Sequence, residues 1–132
     1  MDLYAQNILD RYKEPYYKDK NIDATVSHEE VNHSCGDRLT SKLEIRKSKI
    51  ETYTFTGEGC AISQASADIL GDLIIGRTID EVLAITKEDL FETLGIEISL
   101  RRSKCALLGL VSVKNALLKY LGKKPNACSL TQ

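Results

Sequence analysis

Proline is scarce in this chain of 132 residues, standing only at Pro15 and Pro125, and no internal repeat or low-complexity stretch interrupts it. That excludes a proline-rich spacer or a repeat array and leaves one domain with a real core. No sign of charge dominates either: 18 Lys and Arg stand against 19 Asp and Glu, a formal net charge of −1. The electrostatic footprint of a protein that binds nucleic acid or a membrane surface is therefore missing. No apolar run approaches the roughly 20 residues that a membrane-spanning helix needs. Met1 leads straight into "DLYAQNILDRY" without a basic start and an apolar core, so no secretory signal is expected and the expected address is cytoplasmic. There is no C-x-x-C pair: the four cysteines, at positions 35, 60, 105 and 128, lie 25, 45 and 23 residues apart. Spacing alone is thus a weak metal signal, and the case must come from the neighbours of each cysteine.

What is present reads as a soluble globular chain, 42% hydrophobic and 28% charged. "YAQNILDRYKEP" predicts a short amphipathic helix, with Ile8 and Tyr12 four apart and Pro15 as the stop. Three strands follow. "DATVSHEEV" is the weakest, "LTSKLEIR" alternates Leu39, Ser41, Leu43 and Ile45 against polar positions, and "KIETYTFTG" is rich in β-branched and aromatic residues. "KSK" joins the last two as an antiparallel hairpin. From Cys60 the period changes to that of helices. Ile62, Ala65, Ile69 and Leu73 share one stripe, and capping boxes at Thr78/Glu81 and Thr86/Asp89 open two short helices, the second ending near Gly95. A last helix from about Lys104 to Leu121 carries Leu107, Val111, Leu118 and Leu121 on one stripe, with Leu110, Val113 and Leu117 beside it. The expected architecture is α+β: an N-terminal helix, a small antiparallel sheet of about three strands, and C-terminal helices on one face. Residues 1–122 form one domain in this reading, and 123–132 a flexible tail.

In a cytoplasmic chain, cysteines serve metal binding, catalysis or packing rather than disulfides. Cys35 sits in "NHSCGD", where Gly36 permits a sharp turn and Asp37 offers an oxygen two residues on. Cys60 ends "TGEGC" at a strand-to-helix junction, where unpaired N–H groups favour thiolate. Cys105 follows "RRSK" and is expected to open the final helix in the same way, helped by Arg101, Arg102 and Lys104. All three could meet at one end of the sheet. With Asp37 they make a Cys₃Asp set suited to zinc or to the iron of a small cluster. Locally, Asp37 is as well explained as a turn residue capping its own backbone. A carboxylate is harder than a thiolate and binds a soft site less firmly, which suits a centre that must release its contents.

"NHSCGD", "GEGCAISQAS" and "RRSKCALL", together with "YAQNILDRYKEP", resemble the motifs of the NifU-like iron–sulfur scaffolds, the IscU and SufU group. The resemblance runs to about Leu121. It implies a SufE/NifU-like α+β scaffold that accepts persulfide sulfur from a cysteine desulfurase, binds iron, assembles a [2Fe–2S] cluster and passes it to apo-proteins. By the same comparison Cys35, Asp37, Cys60 and Cys105 fall on ligand positions, and Cys105 on the position that receives sulfur. Two features depart from the IscU pattern. Lys104 stands where IscU members carry His, and "EISLRRS" stands where they carry a Pro-Pro motif read by a chaperone. Lys104 is similar to the SufU pattern, whose members hold zinc through three Cys and an Asp and relay sulfur. The 45-residue gap between Cys60 and Cys105, however, is too short for the SufU insertion. Cys128 reads as an incidental exposed thiol, and His28 and His33 as solvated. A hydrolase using Cys35 with His33 is disfavoured, because two residues so close in one loop cannot face each other and no orienting third group is evident.

Overall fold

The computed structural model describes residues 3–33, 36–95 and 100–123, with only the backbone described for 3–5 and 100–102. The chain order is α1 (Leu3–Lys13), β1 (Val26–Asn32), β2 (Asp37–Arg46), β3 (Lys49–Glu58), α2 (Ala61–Ile74), α3 (Ile79–Leu83), α4 (Lys87–Leu94) and α5 (Leu100–Tyr120). The three strands form one antiparallel sheet in the order β1-β2-β3. The α+β expectation holds. Lys47 and Ser48 both have positive φ, 52° and 63°, the twist that a two-residue β2–β3 turn requires. Along β2, Leu39, Ser41, Leu43 and Ile45 are buried as their alternation predicts. Asp37 continues that row, because β2 begins two residues earlier than the sequence pattern suggested. β1 likewise runs 26–32 instead of 23–31.

Both capping boxes are formed, with reciprocal hydrogen bonds at Thr78/Glu81 and Thr86/Asp89, and Gly95 ends α4 in the left-handed region. Thr→Ala changes at such caps typically cost about 1 kcal/mol. The helical stripes need correction. On α2, Ala65 and Ile69 are buried, but Ile62 and Leu73 are only partly so, while Ser63, Gln64, Ser66 and Asp68 are buried. The cause is tertiary: α2 is packed by α1, α5, α4 and β3 at once, so it has no single apolar face. Its contact with α5 is close because both sides are small: a Cβ on Gly109 would lie 3.1 Å from Ala67. α5 starts one turn before Lys104, and Leu121 falls beyond its end and is exposed. There Gly122 donates to the Lys119 carbonyl and Lys123 to that of Leu118, closing the helix with a left-handed glycine at φ 78°. The expected tail lies, apart from Lys123, outside the described residues.

A charge cluster, buried at Arg11 and Asp68 and exposed at Asp72, fastens α1 to α2. Arg11 Nε donates to Asp68 Oδ2 at 2.6 Å and its Nη1 to Asp72 Oδ2 at 2.8 Å. Asp68 also accepts the backbone N–H groups of Tyr16 and Tyr17, at 3.1 and 2.8 Å. The Arg11 guanidinium lies 4.2 Å from the Tyr16 ring centre.

Candidate metal centre

Three elements converge at one end of the sheet. Asp37 opens β2 on its buried face and is 5% exposed. Its Oδ2 has no hydrogen-bond partner among the described residues. Leaving a buried carboxylate oxygen unsatisfied is costly, so this geometry suits a bound cation. Cys60 is the N-cap of α2 but does not cap it with its side chain; its thiol instead points at Ser63 Oγ, 3.8 Å away. The Ser63 hydroxyl in turn donates to the Cys60 carbonyl at 3.0 Å. Cys105 projects from α5 and is 6% exposed, with the Asn32 side-chain amide nitrogen 3.8 Å from its Sγ.

The expectation that Cys105 opens its helix is overturned. α5 begins at Leu100, which puts Cys105 in the second turn, past the unpaired N–H groups that make a helix start attractive to thiolate. Its membership of the site rests on position instead. One ligand atom each from Asp37, Cys60 and Cys105 lies within 4.8 Å of the others. Tetrahedral donors each about 2.3 Å from a metal stand about 3.8 Å apart, so the three close by up to about 1 Å around an ion. Gly59 makes this approach possible. A Cβ there would lie 2.4 Å from Ser63 Oγ and 3.0 Å from Asp37 Cγ.

The remaining sequence candidates divide. Cys35, two residues ahead of Asp37, and Cys128 lie outside the described residues. Arg101 and Arg102 are described in backbone only, and Lys104 is exposed. His33 is exposed. His28 is not simply solvated as expected: its Nε2 is 2.8 Å from Glu30 Oε1, which also accepts from Asn115 of α5 at 2.7 Å. It is part of a strut between β1 and α5. Sequence reading missed Asn32 and Ser63, and read Gly59 only as a mark of the strand-to-helix junction. The first stood inside the quoted "NHSCGD", but nothing local signals a contact with a residue 73 positions away.

A sheet covered on one face by helices, with thiols and a carboxylate gathered at its end, defines an α+β domain bearing a candidate thiolate–carboxylate metal centre. The family described as the NifU-like N terminal domain matches residues 3–127, and the chain belongs to it. Among its relatives, an iron–sulfur cluster assembly scaffold protein IscU from Thermotoga maritima is 37% identical over 86 residues, 65% of this chain and 61% of that protein. A zinc-dependent sulfurtransferase SufU from Bacillus subtilis is 38% identical over 85 residues, 64% of this chain and 57% of that protein. The aligned stretch therefore spans less than two thirds of either relative. A crystal structure from Fervidobacterium islandicum, provisionally described as an iron–sulfur cluster assembly scaffold for the SUF system, superposes with a TM-score of 0.71. It is 28% identical, and the match covers 85% of this chain and 94% of that one. None of the described helices is long and apolar enough to cross a membrane.

Proposed function

We propose that the protein is an iron–sulfur cluster assembly scaffold, with Cys35, Asp37, Cys60 and Cys105 as the ligands of its cargo. The observation that carries this reading is the convergence of Asp37, Cys60 and Cys105 within 4.8 Å around a buried carboxylate oxygen that lacks a partner. Cys35 joins them by its place in the chain, two residues before Asp37. The function resides in the stretch 1–122 read above as one domain. Its partners are a cysteine desulfurase and the apo-proteins that receive the cluster.

Sulfur arrives by exchange. The Cys105 thiolate attacks the outer sulfur of the desulfurase persulfide, the S–S bond of the donor breaks, and the donor cysteine leaves as thiolate. Cys105 then carries the persulfide. Release of two such sulfurs as sulfide takes four electrons. Two come from the ferrous ions held by the neighbouring donors, which become ferric, and two from an external thiol pair, left as its disulfide, or an electron-donor protein. A [2Fe–2S] cluster built this way has one carboxylate among its ligands and is bound less firmly than by four thiolates.

A second reading draws on the match to the zinc-dependent sulfurtransferase and on Lys104 beside Cys105. In it zinc is held by the same four residues as a resident ion, and Cys105 takes sulfur for onward transfer without cluster assembly. The chemistry of the donor set fits zinc equally well. One experiment separates the two: anaerobic visible absorption after adding ferrous iron, cysteine, a thiol reductant and catalytic cysteine desulfurase. An iron–sulfur charge-transfer chromophore, lost in the Cys35→Ser, Cys60→Ser and Cys105→Ser variants, is the expected result. Faster desulfurase turnover with no chromophore would select the zinc reading.

A further inference from the structure

Asn32 ends β1 with three separate ties to the site. Its Cα is the register partner of Asp37 across the hairpin. Its carbonyl accepts the Gly36 N–H at 2.8 Å, just ahead of Asp37. Its side-chain amide nitrogen is 3.8 Å from Cys105 Sγ, within reach of an N–H···S hydrogen bond. Two strand ends and a helix thus meet at one residue. Its backbone ties hold it beside Asp37, and its side-chain N–H₂ group, which binds no metal and does not titrate, faces Cys105.

The two described sulfurs are consequently not alike. Cys60 is the donor in its contact with Ser63 Oγ, and the Ser63 proton is already committed to the Cys60 carbonyl. Cys105 instead faces a donor. Resting on the metal-centre reading above, we propose that Asn32 is a positioning residue for Cys105. Its N–H holds the Cys105 sulfur toward Asp37 and Cys60 and withdraws charge from that sulfur when it binds a metal. A hydrogen-bonded thiolate is a poorer charge donor, and contacts of this kind orient ligands and tune the bound metal. An amide suits the task because it donates equally to a thiolate, a metal thiolate or a persulfide.

Cobalt(II) reports this directly, since its thiolate-to-metal charge-transfer band moves with the energy of the sulfur lone pair. Anaerobic cobalt loading of the full chain is compared with Asn32→Leu, which keeps the bulk and loses the donor. Asn32→Asp, of the same shape, serves if the leucine variant fails to fold. The expected result is a shift of the band to lower energy, with one cobalt per chain and tetrahedral ligand-field bands retained. The shift should vanish in a Cys105→Ser background. An unmoved band, or an equal shift in that background, overturns the assignment while leaving the metal reading intact. The absence of any cobalt–thiolate band in the unsubstituted protein overturns both.

Discussion

Asp37 enters the centre through parity. Residues of β2 alternate between faces, and 37 shares the odd set with Leu39, Leu43 and Ile45, so a carboxylate is carried into the buried layer. A one-residue slip of the hairpin would turn it outward with the whole apolar row. Under the scaffold reading its hard oxygen is the weak link of the ligand set. Asp37→Ala should therefore lengthen the lifetime of an assembled cluster, measured as the anaerobic decay of its visible absorption toward an apo acceptor. A lifetime unchanged or shortened would refute the labile-ligand role. At this scale the sequence was most readable where chemistry is local. Cys60 at "TGEGC" announces itself through the glycines ahead of it. Asp37 was locally as well explained as a turn residue and stood out only by its pairing with Cys35 and by the family resemblance. Asn32 gives no such signal, because its partner lies on α5, and Gly59 looks like a turn residue until Asp37 and Ser63 are seen against it.

Elements were legible where caps mark them and less so where packing decides. Thr78 and Thr86 placed the starts of α3 and α4, whereas the start of α5, where the sequence offers no capping box, was read one turn late. The all-round burial of α2 was hidden for the same reason: Asp68 looks like a solvent-facing acid until Arg11 of α1 is brought to it. That pair fixes how α1 sits. Arg11→Met would leave the fully buried Asp68 side chain without its cationic partner, its oxygens still accepting two backbone N–H groups. Its cost should fall near the low end of such cases, about 3 kcal/mol by urea denaturation. A loss under about 1 kcal/mol would show that α1 is held mainly by apolar contacts. The outer partner has a pH signature. Burial alone would raise the Asp72 carboxyl, but the hydrogen bonds from Arg11 and Tyr17 and the Arg11 charge outweigh it and hold the carboxyl below its ordinary range. Tyr17 correspondingly is pushed up to about 12, by burial first and by its bond to Asp72 second. The depressed carboxyl contributes stability above its unfolded value and loses it as pH falls through the folded one, so the gap between wild type and Arg11→Met should narrow in acid.

Across the whole molecule, the centre is assembled from parts that differ in how firmly they are held. Under the scaffold reading, three thiolates and a carboxylate would repel one another without a cation, so the metal-free state is expected to be the looser one. The looseness is not shared equally. α2 is enclosed on several sides, its carbonyl at Ala67 also accepts the Tyr53 hydroxyl at 2.8 Å, and Cys60 stands at its head. Amide hydrogens in the middle of α2, around Ser66 to Ile69, should therefore exchange with deuterated water only through global unfolding, and far more slowly than those of the peripheral α4. Equal exchange in the two helices would contradict this. The consequence is a division of labour in time. Under the scaffold reading, the helix that bears Cys60 stays fixed short of unfolding, and the rate at which cargo enters or leaves is set by the donors carried on β2 and α5.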